Sequence, residues 1–341
     1  LLTCTGARVL KTEGTQNNHI GVPLTLLQLT SAHDYAVIEL GSNHPGEIAS
    51  LASVAQPTVA VVTNIGPAHL EFFGSVEAIR REKLSLLKAL GAGGSAVVPG
   101  DQLEVLLEAK ACLHPQARLL TFGTADHCGM QGVEIRRDGH GFALQVRDVP
   151  GTFAIPLPGF HNVENVLATL ACLHALGRPL ASLGGALRSF ASVPMRSELI
   201  RCNGFMVLND CYNANPLSFA RALEALHDLP ATRRVVIAGD MMELGPAAKA
   251  AHQAIGRLAA RYGIELVMAV GAFASDVAQG AATSAGTLTL TYRTVQELLA
   301  QLPTVVRNGD SVLIKGSRKM ALEHVTAQLQ ALAVQRHPHG A

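Results

Sequence analysis

Strand and helix signals alternate along most of this chain, and that alternation constrains the fold more than any other feature. The clearest unit spans residues 58–90, where an apolar, β-branched run from Thr58 to Thr63 predicts a strand. A Gly-Pro loop ends the strand, and a helix that Ser75 can cap follows it. Because strands that alternate with helices form parallel sheets, the sequence predicts an α/β fold whose ligands gather where the strands end.

One charged side chain is out of place in the helix after this strand. By spacing, Ile79, Leu86, Leu87 and Leu90 share a helical face, and Lys83 lies on that same face. In one interpretation, Lys83 extends its ammonium into solvent along its own aliphatic stem. In the other, it is a buried amine with a lowered pKa, available to a small electrophile. The residues alone leave both interpretations open.

Two further polar side chains follow neighbouring predicted strands. Glu39 ends the apolar strand that begins at Tyr35, and His69 comes just after the strand that ends near Thr63. Since parallel strands end at the same edge of a sheet, the carboxylate and the imidazole could hold a divalent cation such as magnesium. A solvated glutamate and a capping histidine would leave the same sequence pattern.

Two amide-rich loops are also candidates for ligand contact. Asn17 and Asn18 lie in a polar loop after a short strand, where they could bind a ligand or only form a turn. His161, Asn162 and Asn165 open a predicted helix, where capping alone would explain them.

A new series of strands begins after the segment from Ala191 to Pro194, which indicates a domain boundary. We expect a first domain over residues 1–193, with an antiparallel hairpin at Val133 to Val146 around a Gly-rich turn. The second α/β domain spans residues 194–334, and residues 335–341 form a disordered tail. The predicted strands of the second domain are Phe205 to Asn209, Arg234 to Ala238, Glu265 to Val270 and Ser311 to Ile314.

Composition excludes several classes of partner. A net charge of +1 with 16% charged residues suggests neither nucleic acid nor a membrane surface as a partner. Hydrophobic residues make up 48%, yet no apolar run approaches the roughly 18 residues that cross a bilayer. The six cysteines are scattered, without zinc-like spacing or a secretory signal, so we expect reduced thiols in a cytoplasmic protein.

Motifs at the strand ends, taken together and in order, resemble the Mur ligases, most closely the MurF type. The resemblance covers essentially the whole chain, and the diaminopimelate-recognising Asn-Pro-Arg signature of a sister type is not found. The matching stretches are TEGTQNNHIGVPLTLL, VIELGSNHPGEIA, TNIGPAHLEFFGSVEAIRREK, LPGFHNVENVLA, MRSE, NDCYNANP, GDMMELG and VLIKGSRKM.

The resemblance implies a fold, a reaction and its partners. The fold would be a truncated P-loop-type central domain, with a mostly parallel sheet and a small antiparallel hairpin region, followed by a Rossmann-like C-terminal domain. The reaction would be the ATP-dependent ligation of D-alanyl-D-alanine to UDP-N-acetylmuramoyl-tripeptide through an acyl phosphate, in cytoplasmic synthesis of peptidoglycan precursors. ATP and magnesium would be the cofactors, and the protein would be a monomer.

The resemblance also implies roles for particular residues. Glu39, His69 and Lys83 are similar to the family's magnesium ligands, with Lys83 as a carbamate. Asn17 and Asn18 would contact the substrate. The residues similar to the family's nucleotide and dipeptide contacts are His161, Asn162 and Asn165 for adenine, Arg196, Asp210, Tyr212, Asn213 and Asn215 for the rest of ATP, and Lys315, Ser317 and Arg318 for the dipeptide.

The sequence departs from the family's pattern at one point. It contains no Gly-rich loop followed by Gly-Lys-Thr, the motif that cradles the β- and γ-phosphates of ATP. We therefore expect an N-terminally truncated, inactive fragment of a ligase, with unpaired strand edges and an exposed apolar strip in the first domain. The alternative is a non-catalytic nucleotide-binding or interaction module.

Overall fold

The computed structural model describes residues 1–283 and 286–336, which divide into two compact units. Unit 1 contains Leu1–Gly66, Phe72–Pro156 and Asn162–Phe190. Unit 2 contains Pro67–Glu71, Leu157–His161 and the chain from Ala191 onward. Two short segments of the predicted first domain, Pro67–Glu71 and Leu157–His161, thus group with unit 2. The predicted single boundary near residue 193 does not include this exchange.

Unit 1 contains two separate sheets. One is a parallel pair; the other has six strands in the order β3-β4-β5-β6-β7-β8, parallel from β3 to β6 and antiparallel from β6 to β8. The predicted mostly parallel sheet with an antiparallel hairpin is confirmed, and β8 adds an unexpected third hairpin strand. The strands are β1 (Val9–Lys11), β2 (Tyr35–Val37), β3 (Val59–Val61), β4 (Ser95–Pro99), β5 (Arg118–Gly123), β6 (Met130–Asp138), β7 (Gly141–Val146) and β8 (Val149–Ile155).

The hairpin turn has a direct sequence cause. Asp138 pairs with Gly141, which leaves Gly139 and His140 as the two residues of the turn. Gly139 has a φ of +61°, a backbone conformation that glycine adopts without steric cost. The turn therefore fixes the register of β6 and β7.

The pair β1 and β2 exposes apolar side chains at its surface. Within the described residues, these strands pair only with each other and β3 pairs only with β4. Val37 of β2 is 51% exposed, and Leu27 in the segment after β1 is 81% exposed. Exposed apolar side chains are therefore present in this part of unit 1, and a continuous apolar strip stays a prediction.

Unit 2 is built on one six-stranded sheet in the order β13-β12-β11-β14-β10-β9, parallel except for β9. Its central strands are buried on both faces, as expected for a sheet covered by helices. The two edge strands were not predicted. The strands are β9 (Glu198–Cys202), β10 (Phe205–Asn209), β11 (Arg233–Gly239), β12 (Leu266–Val270), β13 (Leu288–Tyr292) and β14 (Asp310–Lys315).

Helices connect these strands. The helices are α1 (Gly21–Leu26), α2 (Glu47–Ala55), α3 (Leu70–Phe73), α4 (Val76–Leu84), α5 (Leu103–Cys112), α6 (His161–Ala175), α7 (Gly184–Arg188), α8 (Pro216–Asp228), α9 (Ala248–Arg261), α10 (Ala274–Ala281), α11 (Val295–Val305) and α12 (Glu323–Arg336). None is both long and apolar enough to cross a membrane, among the residues that the structure describes. Helix α12 continues to Arg336, two residues past the predicted domain end, and residues 337–341 of the predicted tail lie outside the described residues.

The helix that carries Lys83 is shorter than its sequence pattern indicates. Ser75 caps α4 as predicted, since its side chain accepts a hydrogen bond from the Ala78 N–H. The α-helix ends at Leu84 and continues as a 3₁₀ turn over Ser85–Ala89, so a single helix through residue 90 was wrong. The apolar face is nevertheless buried, with Ile79 at 2% exposure and Leu87 at 0%.

Candidate functional site

Glu39 follows β2 and is held from two directions. Its N–H donates to Thr12 Oγ1 over 2.9 Å, and Asn17 Nδ2 donates to its Oε1 over 2.8 Å. Asn17 also fixes the next turn, because its carbonyl accepts the Gly41 N–H over 2.8 Å. A Cβ at Gly41 would lie 2.8 Å from the Asn17 side chain, so only glycine fits. Asn17 therefore orients the exposed Glu39 carboxylate.

Asn18 has a local structural role. Its Oδ1 accepts hydrogen bonds from the N–H groups of Ile20 and Gly21 over 3.0 and 2.9 Å, which satisfies donors at the start of α1. Contact of Asn18 with a substrate stays a prediction.

Lys83 is partly buried, and its ammonium donates to Ser42 Oγ over 3.1 Å. Burial lowers the pKa of Lys83, an effect opposed by the negative charges of Glu82, Glu47 and Glu39. These contacts favour the second interpretation of Lys83, a buried amine with a lowered pKa.

Glu82, the neighbour of Lys83, ties α4 to the start of α2. Its two carboxylate oxygens accept the N–H groups of Gly46 and Ile48 over 2.7 and 2.8 Å. Glu82 is 7% exposed, and its carboxylate lies at a helix N-terminus, where a negative charge is favourable. Lys83 is therefore carried by a helix whose position is fixed.

His69 contacts a residue to which the sequence gave no role. Its Nδ1 hydrogen-bonds the Glu243 carboxylate, and the Glu71 N–H donates to the Glu243 carbonyl over 3.1 Å. All three residues belong to unit 2. His69 and Glu243 both have positive φ, 55° and 60°, which is uncommon for residues other than glycine and is found at functional sites.

The loop of Glu243 rests on buried polar groups. Asp240, 4% exposed, accepts the N–H groups of Ala272 and Phe273 over 2.8 and 3.0 Å. His252, 1% exposed, accepts the Met241 N–H at Nε2 over 2.9 Å. The imidazole is thus used as a neutral acceptor, and burial lowers its pKa.

His161 is enclosed at the start of α6. Its Nε2 lies 3.2 Å from Ser197 Oγ, and its Nδ1 is buried without a hydrogen-bond partner in the described part of the chain. Burial lowers the pKa of His161, an effect opposed by the charge of Asp210. Gly159 makes room for the ring, since a Cβ there would lie 2.5 Å from it.

Arg196 is presented on a strained segment. Its Cζ lies 4.1 Å from the centre of the Tyr212 ring, a cation–π contact. Met195 and Ser197 on either side have φ values of 62° and 48°. Each such residue costs on the order of 1–3 kcal/mol, so the surrounding structure must hold the segment. The Ser197 N–H donates to Asp210 Oδ1 over 2.9 Å, which supplies part of that support.

Lys315 contacts the residues that support Arg196. It is 2% exposed, and its ammonium reaches the Asp210 carboxylate and the Asn213 carbonyl, the latter over 3.0 Å. Its predicted place beside the dipeptide stays a prediction, but the ammonium is enclosed by protein oxygens. These contacts give Lys315 a part in positioning Asp210.

The other predicted residues of this region make contacts within the protein. Asn165 Nδ2 donates to Asn162 Oδ1 over 3.3 Å in the first turns of α6. Asn215 caps α8 in a reciprocal pair with Ser218. Asn213, Ser317 and Arg318 make the remaining contacts, with the Ala214 N–H, the Met242 N–H and the Glu323 carboxylate respectively.

Comparison with known proteins identifies the family. The profile of the Mur ligase middle domain matches residues 1–173, and that of the Mur ligase glutamate ligase domain matches residues 195–318. The chain is 35% identical to the UDP-N-acetylmuramoyl-tripeptide--D-alanyl-D-alanine ligase of Escherichia coli, over 94% of the chain and 71% of that relative. The chain belongs to the Mur ligase family.

Solved structures agree with this assignment. MurF from Acinetobacter baumannii is similar with a TM-score of 0.86 and 31% identity, covering 97% of this chain and 72% of that one. MurF from Thermotoga maritima in complex with ADP has a TM-score of 0.86 and 26% identity, covering 98% and 76%. The predicted MurF type and the α/β fold of this Mur ligase are confirmed, and it is an ATP-dependent ligase by family.

The residues of this Mur ligase fit a magnesium ion in part. Within the described residues, no three side chains of His, Cys, Asp or Glu are grouped closely enough to hold a metal. Of the three predicted ligands, Glu39 and Lys83 lie in unit 1 and His69 lies in unit 2, so coordination of one magnesium ion by all three stays a prediction. A carboxylate, a carbamate and waters form the oxygen-rich donor set that magnesium prefers. Only one oxygen of Glu39 accepts a described hydrogen bond, which leaves the other for a cation.

Proposed function

We propose that the residues of this Mur ligase serve the ATP-dependent joining of D-alanyl-D-alanine to UDP-N-acetylmuramoyl-tripeptide, in cytoplasmic peptidoglycan precursor synthesis, and that the 341 residues by themselves do not complete that reaction. The curated relatives from Escherichia coli and Bacillus subtilis bear the name of this activity at 35% and 32% identity. The observation that carries the proposal is Lys83, a partly buried amine with a lowered pKa in the same unit as Glu39.

The proposed chemistry at Lys83 begins with carbamylation. A neutral amine is required, and burial favours the neutral form. The resulting anion would join Glu39 of the same unit as an oxygen ligand for magnesium, and His69 of unit 2 stays the third expected ligand. A magnesium ion bound there would supply positive charge against the anionic substrate carboxylate and the γ-phosphate of ATP.

In unit 2, the nucleotide would be held by His161 and the cluster around Arg196, while contacts from Asn162 and Asn165 of unit 1 stay predictions. Two features of this cluster support the role, one at Arg196 and one at Asp210. The guanidinium is exposed but restrained by the Tyr212 ring, so little side-chain entropy would be lost on binding ATP. Asp210 is fixed by Lys315 and Ser197, so its carboxylate is pre-organised to accept the ribose hydroxyls.

A chimera tests the proposed activity. The 341 residues would replace the matching part of the Escherichia coli relative, so that a phosphate loop is supplied. We expect the chimera to release phosphate only with ATP, tripeptide substrate and D-alanyl-D-alanine together. The Lys83→Ala variant should lose at least about 10²-fold in kcat, since a positioned charge at a transition state is removed. Lys88→Ala, at an exposed lysine of the same segment, is the matched control.

The 341 residues alone should behave differently. Because the sequence has no Gly-Lys-Thr run to hold the β- and γ-phosphates, we propose that they do not ligate. Phosphate release by this chain that depends on both tripeptide and D-alanyl-D-alanine would contradict that proposal. An active Lys83→Ala chimera would instead remove the role given to Lys83.

A further inference from the structure

Ser42 is a buried hydroxyl with one described hydrogen bond. It is 8% exposed, and its Oγ accepts the Lys83 ammonium over 3.1 Å. A serine hydroxyl can donate one hydrogen bond as well as accept. Within residues 1–283 and 286–336, no acceptor is described for the O–H of Ser42. The O–H of Ser42 is therefore a donor without a described acceptor, on an oxygen 3.1 Å from Lys83 Nζ.

The backbone on both sides of Ser42 is fixed. On one side, the Gly41 N–H is held by the Asn17 carbonyl. On the other, the N–H groups of Asn43 and His44 donate to the Glu47 carboxylate over 2.8 and 3.0 Å. Together with the contact of Glu82 to α2, these bonds fix the separation of Ser42 and Lys83.

The charges around Lys83 favour a nearby donor once the lysine is modified. The carboxylates of Glu39, Glu47 and Glu82 all act on the lysine amine. They attract an ammonium but repel a carbamate, which carries a negative charge on its oxygens. A hydroxyl suits both forms of the lysine, because rotation about the Cβ–Oγ bond exchanges its acceptor for its donor.

We infer that Ser42 is a positioning residue for the modified lysine: it holds Nζ before the reaction and donates its O–H to a carbamate oxygen afterwards. This inference rests on the proposed carbamylation of Lys83. In that reaction the Nζ lone pair forms a bond to the carbon of CO₂, one C=O π pair moves onto oxygen, and an amine proton leaves to water. Nothing is oxidised or reduced.

The test compares two residues of nearly equal shape at this position. Ser42→Thr keeps the hydroxyl and Ser42→Val removes it. Each 341-residue variant is equilibrated with ¹³C-bicarbonate, and the lysine carbamate is measured by ¹³C NMR, with Lys83→Met to assign the signal. Ser53→Ala, at an exposed serine of α2, is the matched control, and circular dichroism checks that each variant is folded.

We expect the wild type, Ser42→Thr and Ser53→Ala to carry similar amounts of carbamate. Ser42→Val should carry about tenfold less at the same bicarbonate concentration, the effect of one hydrogen bond to a charged group. Equal carbamate in the Val and Thr variants would overturn the role of Ser42 while leaving the carbamate itself established. A wild type without a signal that depends on Lys83 would overturn both this inference and the proposed carbamylation.

Discussion

Lys83 in unit 1 and Lys315 in unit 2 are both withdrawn from solvent, yet their surroundings differ. Lys315 is 2% exposed and reaches a carboxylate and two carbonyl oxygens, from Asp210 and Asn213. Lys83 has a neutral hydroxyl as its one described hydrogen-bond partner, and burial lowers its pKa. The same side chain is therefore bound to a carboxylate in one unit, whereas in the other its one described hydrogen-bond partner is neutral.

The difference shows that burial alone does not decide the role of a lysine. A buried charge that is fully paired stabilises its partners, and removing it leaves those partners unsatisfied. A buried amine without a charged hydrogen-bond partner gains from losing its proton, which makes it a nucleophile. Substitutions at the two lysines should therefore change stability in opposite directions.

The largest expected effect is that of Lys315→Met. The variant leaves the Asp210 carboxylate without its cation, so we expect the free energy of unfolding to fall by about 3–5 kcal/mol. Urea denaturation followed by circular dichroism measures the change. Lys319→Met, at an exposed lysine a few residues away, should alter stability by less than about 0.5 kcal/mol. Equal effects of the two variants would remove the distinction between a paired and a free lysine.

His252 in unit 2 is a second buried group whose pKa is lowered by burial, so it tests the explanation given for Lys83. Its pKa in the folded state is lowered from 6.5, so the unfolded chain binds more protons just below that pH. The stabilising contribution is complete above pH 6.5 and is lost as the pH falls towards the lowered value.

The variant His252→Gln should be about 2 kcal/mol less stable near neutral pH, because the bonds to Met241 and Ala248 are impaired. Its loss of stability on acidification should be smaller than that of the wild type. Part of the pH dependence should remain, since the pKa of His161 is lowered in the same direction. Urea midpoints across about pH 5–8 measure both effects, with His324→Gln as the exposed control. An unchanged pH dependence would contradict the assignment.

A smaller effect is expected at the helix that follows the Lys315 cluster. Asn215→Ala removes the cap of α8 and should cost about 1 kcal/mol, while Asn215→Ser should recover most of it. Binding of a fluorescent ATP analogue to both variants separates capping from nucleotide contact. Weaker binding by a fully stable Asn215→Ser would show that the amide itself contacts the ligand.

The smallest effect, of opposite sign, is expected for Lys83→Met. Measured without CO₂, the variant should be as stable as the wild type or up to about 1 kcal/mol more stable, because a buried amine is replaced by an apolar chain. The pKa of Lys83 is lowered from 10.5, so the wild type should gain stability as the pH rises towards 10.5. Lys83→Met should lack that gain. A strongly destabilised variant would place Lys83 in the same class as Lys315.

Much of the fold was readable from local sequence. Apolar runs located β10 over Phe205–Asn209 and placed β11, β12 and β14 within a residue or two, and a Gly-rich turn located the hairpin. Strands β9 and β13 are partly buried edge strands with polar residues in them, and β8 contains Pro150 and Gly151 near its start. Such strands are stabilised by pairing with neighbours, which local propensity does not describe.

The candidate site was readable only where a residue type was conspicuous. Lys83 on an apolar face and Glu39 at a strand end both stood out by position. Glu243 did not, because its contact with His69 joins residues 174 positions apart and depends on positive φ at two residues other than glycine. Ser42 is equally inconspicuous in sequence, since a serine after a strand is ordinary turn chemistry.

Because β1 and β2 are separate from the larger sheet of unit 1, we expect them to unfold locally before that sheet does. A two-stranded ribbon has little stability of its own, so its amide protons should exchange with solvent faster than those of β4 and β5. Glu39 is attached to this ribbon, whereas Lys83 is carried by the fixed helix α4. A cation that binds Glu39 would therefore slow amide exchange most in β1 and β2, and the ribbon becomes a local reporter of occupancy at the site.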